Sequence, residues 1–363
     1  MAKRAGGDKW LFYITVVLVG AGLAMVLSAS AIMAQEKYHS PYTFLIKQAI
    51  WAVLGLAVML VLSRINHAVY KSPRFIYSAL SITTFLLVLV YFIRDSHHTH
   101  RWIRFGDLFT LQPSEIAKPV MVLFLAWFLS TRLDTIGKWS TLWRAGLFPL
   151  LFAGLIVFEP DLGTAVVLVG VTAMMLFLAG LPWKYLLGSL GVAIPVLAAL
   201  LIFVPYRFRR ILAFLHPDAD LQGAGFHINQ SLIAVGTGGL AGRGYMEGVQ
   251  KLFFLPEAHT DFIFANIAEE TGFIGSIIFL ILFVAFGYFG LRAAFRSQDP
   301  FARLAAFGIT MTLILQAFFN ISVVLDLLPT KGIPLPLISS GGTSLFFTLA
   351  SIGILLNISR KVD

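Results

Sequence analysis

Apolar residues along the chain are gathered into long runs that charged residues, prolines and glycines interrupt. A helix of about 20 residues crosses the roughly 30 Å hydrocarbon layer of a bilayer, so each run of that length predicts a transmembrane helix. Such runs lie near residues 10–33, 43–63, 75–93, 113–130, 145–158, 164–181, 186–205, 262–291, 304–325 and 341–357. The pattern predicts an all-α integral membrane protein with about ten transmembrane helices, forming a single polytopic domain over residues 1–363.

The composition supports the same fold class. Hydrophobic residues make up 58% of the chain and charged residues 12%, and the mean hydropathy is +0.85. Soluble domains carry roughly 25% charged residues, so a soluble globular protein is excluded. The chain has no cysteine, which excludes disulfides, thiolate metal ligands and thiol nucleophiles. Any chemistry must therefore rest on carboxylates, His, Lys or Arg.

The charges between the predicted helices indicate an orientation. When residues 1–9 are placed in the cytoplasm, the majority of the 27 Lys and Arg residues fall on that side, and most of the 18 Asp and Glu residues fall on the other. Cytoplasmic loops are enriched in Lys and Arg, so we predict an uncleaved first helix and a cytoplasmic location for residues 1–9 and 358–363. The basic excess follows from topology, and we find no nucleic-acid signature in it.

The longest stretch between predicted helices is an outer loop of residues 206–260, between the seventh and eighth helices. Loops of this length are usually functional. Its middle is rich in glycine, and its apolar segment 232–235 predicts that it lies on or in the membrane surface. Its end leads through His259 and Thr260 to Asp261 at the start of the eighth helix. Ionisable residues at membrane depth are usually functional, so we expect the chemistry at this outer end.

Several separated segments of the chain resemble one known family. They read RWIRFGDLFTLQPSEIAKP at 101–119, EPDLGT at 159–164, QSLIAVGTGGLAGRG at 230–244, FLPEAHTDFIFANIAEETGF at 254–273 and LPTKGIPLPLISSGGTSL at 328–345. In this order they resemble the SEDS family of polytopic peptidoglycan glycosyltransferases, over nearly the whole chain. The last segment is more similar to the cell-division member than to the elongation member. One departure is Ser340, at a position where the family usually has Tyr.

The resemblance implies a peptidoglycan glycosyltransferase in the cytoplasmic (inner) membrane of a bacterium, acting in cell division or cell-shape maintenance. It would polymerise lipid II into β-1,4 glycan strands at the outer face and release undecaprenyl pyrophosphate. The family's essential aspartate falls on Asp261, which implies that Asp261 is the catalytic base. From the sequence alone, a helix N-cap is an equally good interpretation of Asp261, and Thr260 is an alternative cap.

Other charged residues are candidates for substrate binding or support. Glu115 and Lys118 lie three residues apart on one predicted helix, so we expect them to pair, and the resemblance implies that they line a cavity near Asp261. Glu269 and Glu270 are expected to face partners or that cavity. Outer cations suit phosphate, although cations at a membrane edge also reach lipid headgroups. The candidates for binding pyrophosphate or sugar are Arg101, Arg104, Arg207, Arg210, Arg243, Lys251, His259 and Lys331.

The sequence specifies no metal site. His97, His98 and His100 lack a nearby carboxylate framework, and we interpret them as a solvated loop. A divalent cation, Mg or Mn, that bridges the pyrophosphate is chemically plausible, but no spacing specifies it. The resemblance also implies a class B penicillin-binding protein, a transpeptidase, as partner, along with other division or elongation proteins. Two rival functions stay open: a flippase or transporter for a lipid-linked precursor, and a non-catalytic division scaffold.

Overall fold

The computed structural model describes residues 8–93, 101–105, 109–215, 224–252, 254–329 and 332–360. Its helices are α1 (Lys9–Tyr38), α2 (Thr43–Leu62), α3 (Pro73–Leu89), α4 (Pro113–Ser130), α5 (Trp139–Phe158), α6 (Leu162–Leu178), α7 (Trp183–Ile202), α8 (Pro205–Leu215), α9 (Ala224–Thr237), α10 (Ile263–Arg296), α11 (Pro300–Val324) and α12 (Gly342–Ser359). Two short 3-10 helices span Val90–Phe92 and Leu133–Thr135. Strands β1 (Ile103–Phe105) and β2 (Phe109–Leu111) form an antiparallel pair before α4.

The predicted fold class is confirmed. Within the described residues, nine helical stretches are long and apolar enough to cross a membrane, namely α1 to α5, α7, α10, α11 and α12. The third of these stretches joins α3 to the 3-10 helix that follows it and spans Pro73–Phe92, 20 residues. Helix α6 is also apolar but has only 17 residues. The predicted total of ten spans depends on α6 and stays a prediction. Helix α5, expected to be short, begins at Trp139 and has 20 residues.

Hydrogen bonds between helix termini show which termini lie together at each end of the bundle. At one end, the Asp8 backbone N–H donates to Ser359 Oγ (3.1 Å), so the start of α1 and the end of α12 lie together. At the opposite end, Gln48 Nε2 near the start of α2 donates to the carbonyl of Ser339, just before α12 (3.1 Å). We call this second end the Asp261 end, because Asp261 precedes α10 there.

The centre and the periphery of the bundle differ strongly in burial. In α4, 72% of the apolar stretch is buried within the protein, whereas in α7 the share is 0%. Helix α7 therefore lies at the periphery of the bundle, and its largely exposed apolar surface suits contact with lipid. Polar side chains on α4 are shielded, and each of them needs a partner within the protein.

The predicted outer loop is structured. It contains α8 and α9, followed by a glycine-rich segment, residues 238–252, that packs along the start of α10. Ser231 in α9 is buried and donates to the Val324 carbonyl (2.8 Å). Leu232 and Ile233 are exposed, whereas Ala234 is buried. The apolar stretch seen in the sequence is therefore part of a helix that packs on the bundle with one face.

Helix α10 is kinked at Gly272, which has φ 68° and ψ −165°, a conformation that glycine adopts without strain. The glycine-rich segment supplies hydrogen bonds at this kink, and one of them runs from the Arg243 N–H to the Glu269 carbonyl (3.0 Å). A Cβ on Gly242 would lie 2.1 Å from the Glu270 carbonyl oxygen. Close approach of two backbones therefore accounts for glycine at this position.

Candidate active site

Asp261 lies in the turn that leads into α10, and its backbone is held from two sides. The Asp261 carbonyl accepts a hydrogen bond from Asn320 Nδ2 of α11 (2.7 Å), and the Thr260 carbonyl accepts one from Ser339 Oγ (2.6 Å). The Ser340 N–H donates to the His259 carbonyl (2.9 Å). The turn is thus fixed to α11 and to the loop before α12, and this contact of Ser340 uses its backbone, so it does not depend on a tyrosine side chain.

The loop between α11 and α12, residues 325–341, is itself anchored by buried amide side chains. Asn320 Nδ2 also donates to the Ile333 carbonyl (2.7 Å), and Gln316 Nε2 donates to the Pro334 carbonyl (2.9 Å). On the other side, Gln48 Oε1 accepts from the Gly341 N–H (3.1 Å). Gln48 and Gln316 each use both the nitrogen and the oxygen of their amides, and such paired buried amides make a rigid support. The support extends from α2 through this loop to Asp261.

Glu115 and Lys118 form the ion pair that their spacing predicts. Lys118 Nζ lies 2.8 Å from Glu115 Oε2, and both side chains are buried. Lys118 Nζ also donates to Gln316 Oε1 (2.8 Å), which links the pair to the α11–α12 loop. The pair borders a small cavity of about 20 Å³ between α4, α11 and α12, which Phe347 also lines. Through Gln316, the ion pair therefore stabilises the loop that contacts the Asp261 turn.

The carboxylate of Asp261 does not cap α10. The N-cap position of this helix is Phe262, and no side chain caps it. Thr260 Oγ1 instead donates to Glu257 Oε2 (2.8 Å), so the alternative cap is absent as well. The helix-cap interpretation of both residues is therefore wrong. A Cβ on Gly332 would lie 2.7 Å from Asp261 Oδ2, so this glycine leaves room for the carboxylate.

The surroundings of Asp261 alter its protonation. Burial raises the pKa of Asp261 to about 7, and the negative charges of Glu257 and Asp161 act in the same direction. Arg101 and Arg210 oppose this rise in the pKa through their positive charges. An aspartate with a pKa near neutrality is poised to take up and release a proton under ordinary conditions. The structure thus brings two predicted basic residues into the electrostatic environment of the predicted base.

The turn between α5 and α6 contributes two further carboxyl groups. Asp161 caps α6 by accepting from the Thr164 N–H (3.0 Å) and from Thr164 Oγ1 (2.8 Å). Glu159 is fully buried, and burial together with Asp161 raises the pKa of Glu159 to about 8, although Arg101 opposes the rise. Arg101 Nε donates to the Glu159 carbonyl (2.7 Å), and Nη2 donates to the Pro160 carbonyl. The EPDLGT motif thus places Arg101 at this end.

Helix α8 brings two more predicted arginines to the same end. Arg207 Nη2 donates to the Val157 carbonyl near the end of α5 (2.9 Å). Arg210 lies over the Tyr206 ring at 4.4 Å, and burial lowers its pKa, although the charge of Asp261 opposes that shift. Arg104 is exposed on β1. Lys331 and the three histidines at 97, 98 and 100 lie outside the described residues.

Three other predicted residues gather at a separate cluster. Lys251 is buried and lies 2.6 Å from Glu270 Oε1, and Ser28 Oγ also donates to that oxygen (2.5 Å). Glu269 Oε1 accepts from the Val249 N–H (2.9 Å), and Arg243 Nε lies 3.8 Å from it. These side chains fasten the glycine-rich segment to α1 and α10. The roles of Arg243 and Lys251 in substrate binding stay predictions, and Ser28 was not marked as a candidate by the sequence.

The structure adds one histidine that the sequence pattern did not mark. The His227 ring of α9 stacks on Phe262, with ring centroids 5.9 Å apart. Burial lowers the pKa of His227, and the neighbouring Arg210 acts in the same direction. His259, which was predicted, packs against Phe44 at 4.9 Å. No sequence signal could identify His227, because its position depends on how α9 folds back onto α10.

The side chains that could bind a metal ion are those of His, Asp and Glu, because the chain has no cysteine. Among the residues that the structure describes, no group of three or more His, Asp or Glu side chains is arranged to hold a metal ion. Asp161 already accepts two hydrogen bonds as a helix cap. A divalent cation that bridges the substrate pyrophosphate stays a prediction.

The fold and the site define an all-helical, multi-pass membrane protein with a titratable aspartate at one end of the bundle. The family model of the FtsW, RodA and SpoVE proteins, described as cell cycle proteins, matches residues 9–363. The chain is 42% identical over 360 residues to a probable peptidoglycan glycosyltransferase FtsW of Geobacter metallireducens, covering 98% of this chain and 95% of that protein. It is 38% identical over 370 residues to stage V sporulation protein E of Bacillus subtilis, covering 99% and 98%.

Solved structures agree with this relationship. A chain of a peptidoglycan synthase complex, described as coordinating polymerization and crosslinking, matches with a TM-score of 0.80 and 28% identity, covering 98% of both chains. The rod shape determining protein RodA of Thermus thermophilus matches with a TM-score of 0.72 and 26% identity, covering 98% of this chain and 97% of that one. This chain belongs to the FtsW/RodA/SpoVE family and is a peptidoglycan glycosyltransferase.

Proposed function

We propose that the protein polymerises lipid II into β-1,4 glycan strands at the outer face of the cytoplasmic membrane, with Asp261 as the base. The observation that carries this proposal is the state of the Asp261 carboxyl. It caps no helix, its pKa is raised to about 7, and Arg101 and Arg210 affect it through their charges. A general base works best when its pKa lies near the operating pH.

The proposed reaction balances with these groups. The acceptor sugar hydroxyl gives its proton to Asp261 while its oxygen forms a bond to the anomeric carbon of the donor. The bond from that carbon to the pyrophosphate oxygen breaks, and its electron pair leaves with undecaprenyl pyrophosphate. Pyrophosphate leaves without being protonated, so one base suffices, and Arg101 and Arg210 would stabilise the charge that develops on the phosphates.

The proposed orientation places the Asp261 end outside the cytoplasm. Basic residues are concentrated at the opposite end, where they match the enrichment of Lys and Arg in cytoplasmic segments. Among the described residues they are Lys9, Arg64, Lys71, Arg74, Arg132, Lys138, Arg144, Lys184, Arg292, Arg296, Arg303 and Arg360. With this orientation, the start of α1 and the end of α12 lie on the cytoplasmic side.

We also propose that a class B penicillin-binding protein is the partner. The related synthase complex couples polymerization with crosslinking, and crosslinking of glycan strands is transpeptidase chemistry. The partner would use the strand that this protein makes. Cell division or cell-shape maintenance is the proposed setting, supported by the family description as cell cycle proteins and by the likeness to a rod shape determining protein.

The test uses purified protein with its transpeptidase partner, fluorescent lipid II and a gel that resolves glycan polymers. We expect polymer from the parent and none from the Asp261→Asn variant, which keeps the size of the side chain. Full polymer from that variant would overturn the role of Asp261. Transfer of lipid II across vesicles without polymer would instead support a flippase, and a lack of both would support a scaffold.

A further inference from the structure

A row of aromatic rings leads away from the Asp261 turn. His259, two residues before Asp261, packs against Phe44 with centroids 4.9 Å apart, and Phe44 meets the edge of Tyr38 at 5.8 Å. Two cations lie at the far ring, since Lys37 Nζ is 5.6 Å and Lys47 Nζ is 5.8 Å from the Tyr38 centroid. We call these five residues the aromatic track.

The outer end of the track is accessible at the edge of the bundle, whereas Phe44 and His259 are partly buried. Tyr38 is 44% exposed, and Lys37 is also exposed. Helix α1 has 30 residues. At 1.5 Å per residue it is about 45 Å long, which exceeds the roughly 30 Å hydrocarbon layer. Its last residues are the polar stretch from Gln35 to Tyr38, so this end of α1 lies beyond the apolar layer.

The track is also joined rigidly to the candidate active site. Gln48, one residue after Lys47 in α2, donates to the Ser339 carbonyl and accepts from the Gly341 N–H (3.1 Å each). Ser339 Oγ in turn donates to the Thr260 carbonyl (2.6 Å). A ligand bound along the track would therefore have a fixed position relative to Asp261.

The geometry points to the aromatic track as a binding site for the nascent glycan strand, a saccharide polymer that carries acidic peptide stems. This inference rests on the proposed function and adds a site for the product. Sugar rings present C–H faces that stack on aromatic rings, and the negative face of an aromatic ring attracts such partly positive groups. The two lysines suit the carboxylates of the stems. Glu36 and Glu257 are the exposed carboxylates closest in sequence to the track, and they would oppose acidic stems.

Lipid headgroups are the competing ligand, because tyrosine and lysine also occur at membrane interfaces. Two observations favour the strand. The rings form a continuous series from Tyr38 to His259, whereas a headgroup site needs no connection to Asp261. A polymerising site must also hold its growing product close by, or each strand would leave after a few additions.

The decisive measurement is binding of a soluble, lipid-free muropeptide oligosaccharide to purified full-length protein, by saturation-transfer NMR and equilibrium dialysis. We use the Asp261→Asn background, so that binding is read without turnover. Loss of one stacked ring in Tyr38→Ala should weaken binding roughly three- to tenfold. Tyr38→Phe keeps the ring and should bind like the parent. Removing both lysines with Lys37→Gln and Lys47→Gln should reduce the salt dependence of binding.

The matched control is Phe92→Ala, which removes an aromatic ring that is 80% exposed at the same end and outside the track. It should leave binding unchanged. With Asp261 restored, Tyr38→Ala should give shorter glycan strands than Phe92→Ala, at equal thermal unfolding midpoints. Parental oligosaccharide binding by Tyr38→Ala overturns the inference whatever the activity. Parental binding combined with weaker association with anionic vesicles would assign the rings to lipid and also overturn it. A parent that binds the oligosaccharide but makes no polymer would refute the proposed function and keep the site.

Discussion

Acidic residues near the start of α10 lie in two different environments, one around Glu269 and Glu270 and the other around Asp261. Glu269 and Glu270 are buried and engaged by neighbours, including the backbone N–H groups of Val249 and Met246 and the ammonium of Lys251. Asp261 lies about two turns earlier, caps nothing, and has a pKa raised to about 7. Acidic residues at membrane depth cost free energy and are usually functional, so the sequence alone would suggest a functional role for all three residues. Their hydrogen bonds distinguish the two environments.

The difference shows what a buried acid does in each setting. A buried carboxylate that is paired with hydrogen-bond donors and a cation stabilises the fold, because removing its partners leaves an uncompensated buried charge. A carboxyl group that is desolvated but takes no part in a cap is available for proton transfer. The glycine-rich segment therefore depends on Glu269 and Glu270, whereas the proposed chemistry depends on Asp261. Four predictions test this division.

The largest effect is expected for Asp261→Asn. Loss of a general base typically lowers rates about 10²- to 10⁴-fold, so glycan polymerisation should fall by that factor. The unfolding midpoint should hardly change, because the carboxylate does not cap α10. Steady-state polymerisation and thermal unfolding in detergent measure the two properties. A large drop in the unfolding midpoint with retained activity would instead show that Asp261 serves stability and not the chemistry.

Glu270→Gln should act mainly on stability. It leaves the Lys251 ammonium buried without its charged partner, and breaking a buried ion pair costs about 3 to 5 kcal/mol. The double variant Glu270→Gln with Lys251→Met removes both charges and should regain much of the loss. Chemical denaturation of the single and double variants measures the coupling between the two residues. Additive losses would show that the pair does not hold the segment.

Gly332→Ala should affect activity more than stability. The added Cβ would lie 2.7 Å from Asp261 Oδ2 and would displace the carboxylate. A misplacement of about 1 Å can cost up to roughly a hundredfold in rate, so we expect a loss of about tenfold to a hundredfold. Gly341→Ala is the control, because a Cβ there would lie 3.6 Å from the nearest atom, in ordinary contact. Equal losses in both variants would indicate a general effect of the loop.

The smallest effect concerns pH. A base must be deprotonated, so polymerisation should decline as the pH falls below about 7, the pKa to which Asp261 is raised. Glu257 contributes to that rise, so Glu257→Gln should lower the pKa of Asp261 and shift the acid limb of the profile to lower pH. The shift should be modest, because Glu257 is exposed and water screens its charge. A shift to higher pH would contradict the assignment.

The sequence predicted much of this architecture because its strongest signals are local. Apolar runs of sufficient length specify membrane helices, and the helical spacing of Glu115 and Lys118 specifies an ion pair on one face. The outer loop was harder to predict. Its glycine-rich middle specified no contact, whereas in the structure Gly242 lies against the backbone of Glu270, and that contact connects residues far apart in the chain.

The candidate site divides in the same way. Asp261 and its arginines were identified through the motifs that carry the family resemblance, and α8 together with the α5–α6 turn brings Arg210 and Arg101 into its electrostatic environment. Lys251 was one of the candidates for binding pyrophosphate or sugar, and the structure shows it buried against Glu270. Composition and spacing do not distinguish an engaged cation from an accessible one, because the partner is supplied by a different element.

The sequence by itself determined the all-helical membrane fold, the family and the identity of the principal aspartate, since hydropathy and linear motifs are properties of consecutive residues. Only the tertiary structure decided which charged groups are neutralised and which stay available. It also decided that α1 and α2 bring Tyr38 and Phe44 into line with His259. Burial and hydrogen bonding depend on contacts between distant segments, and those contacts exist only after the helices have packed.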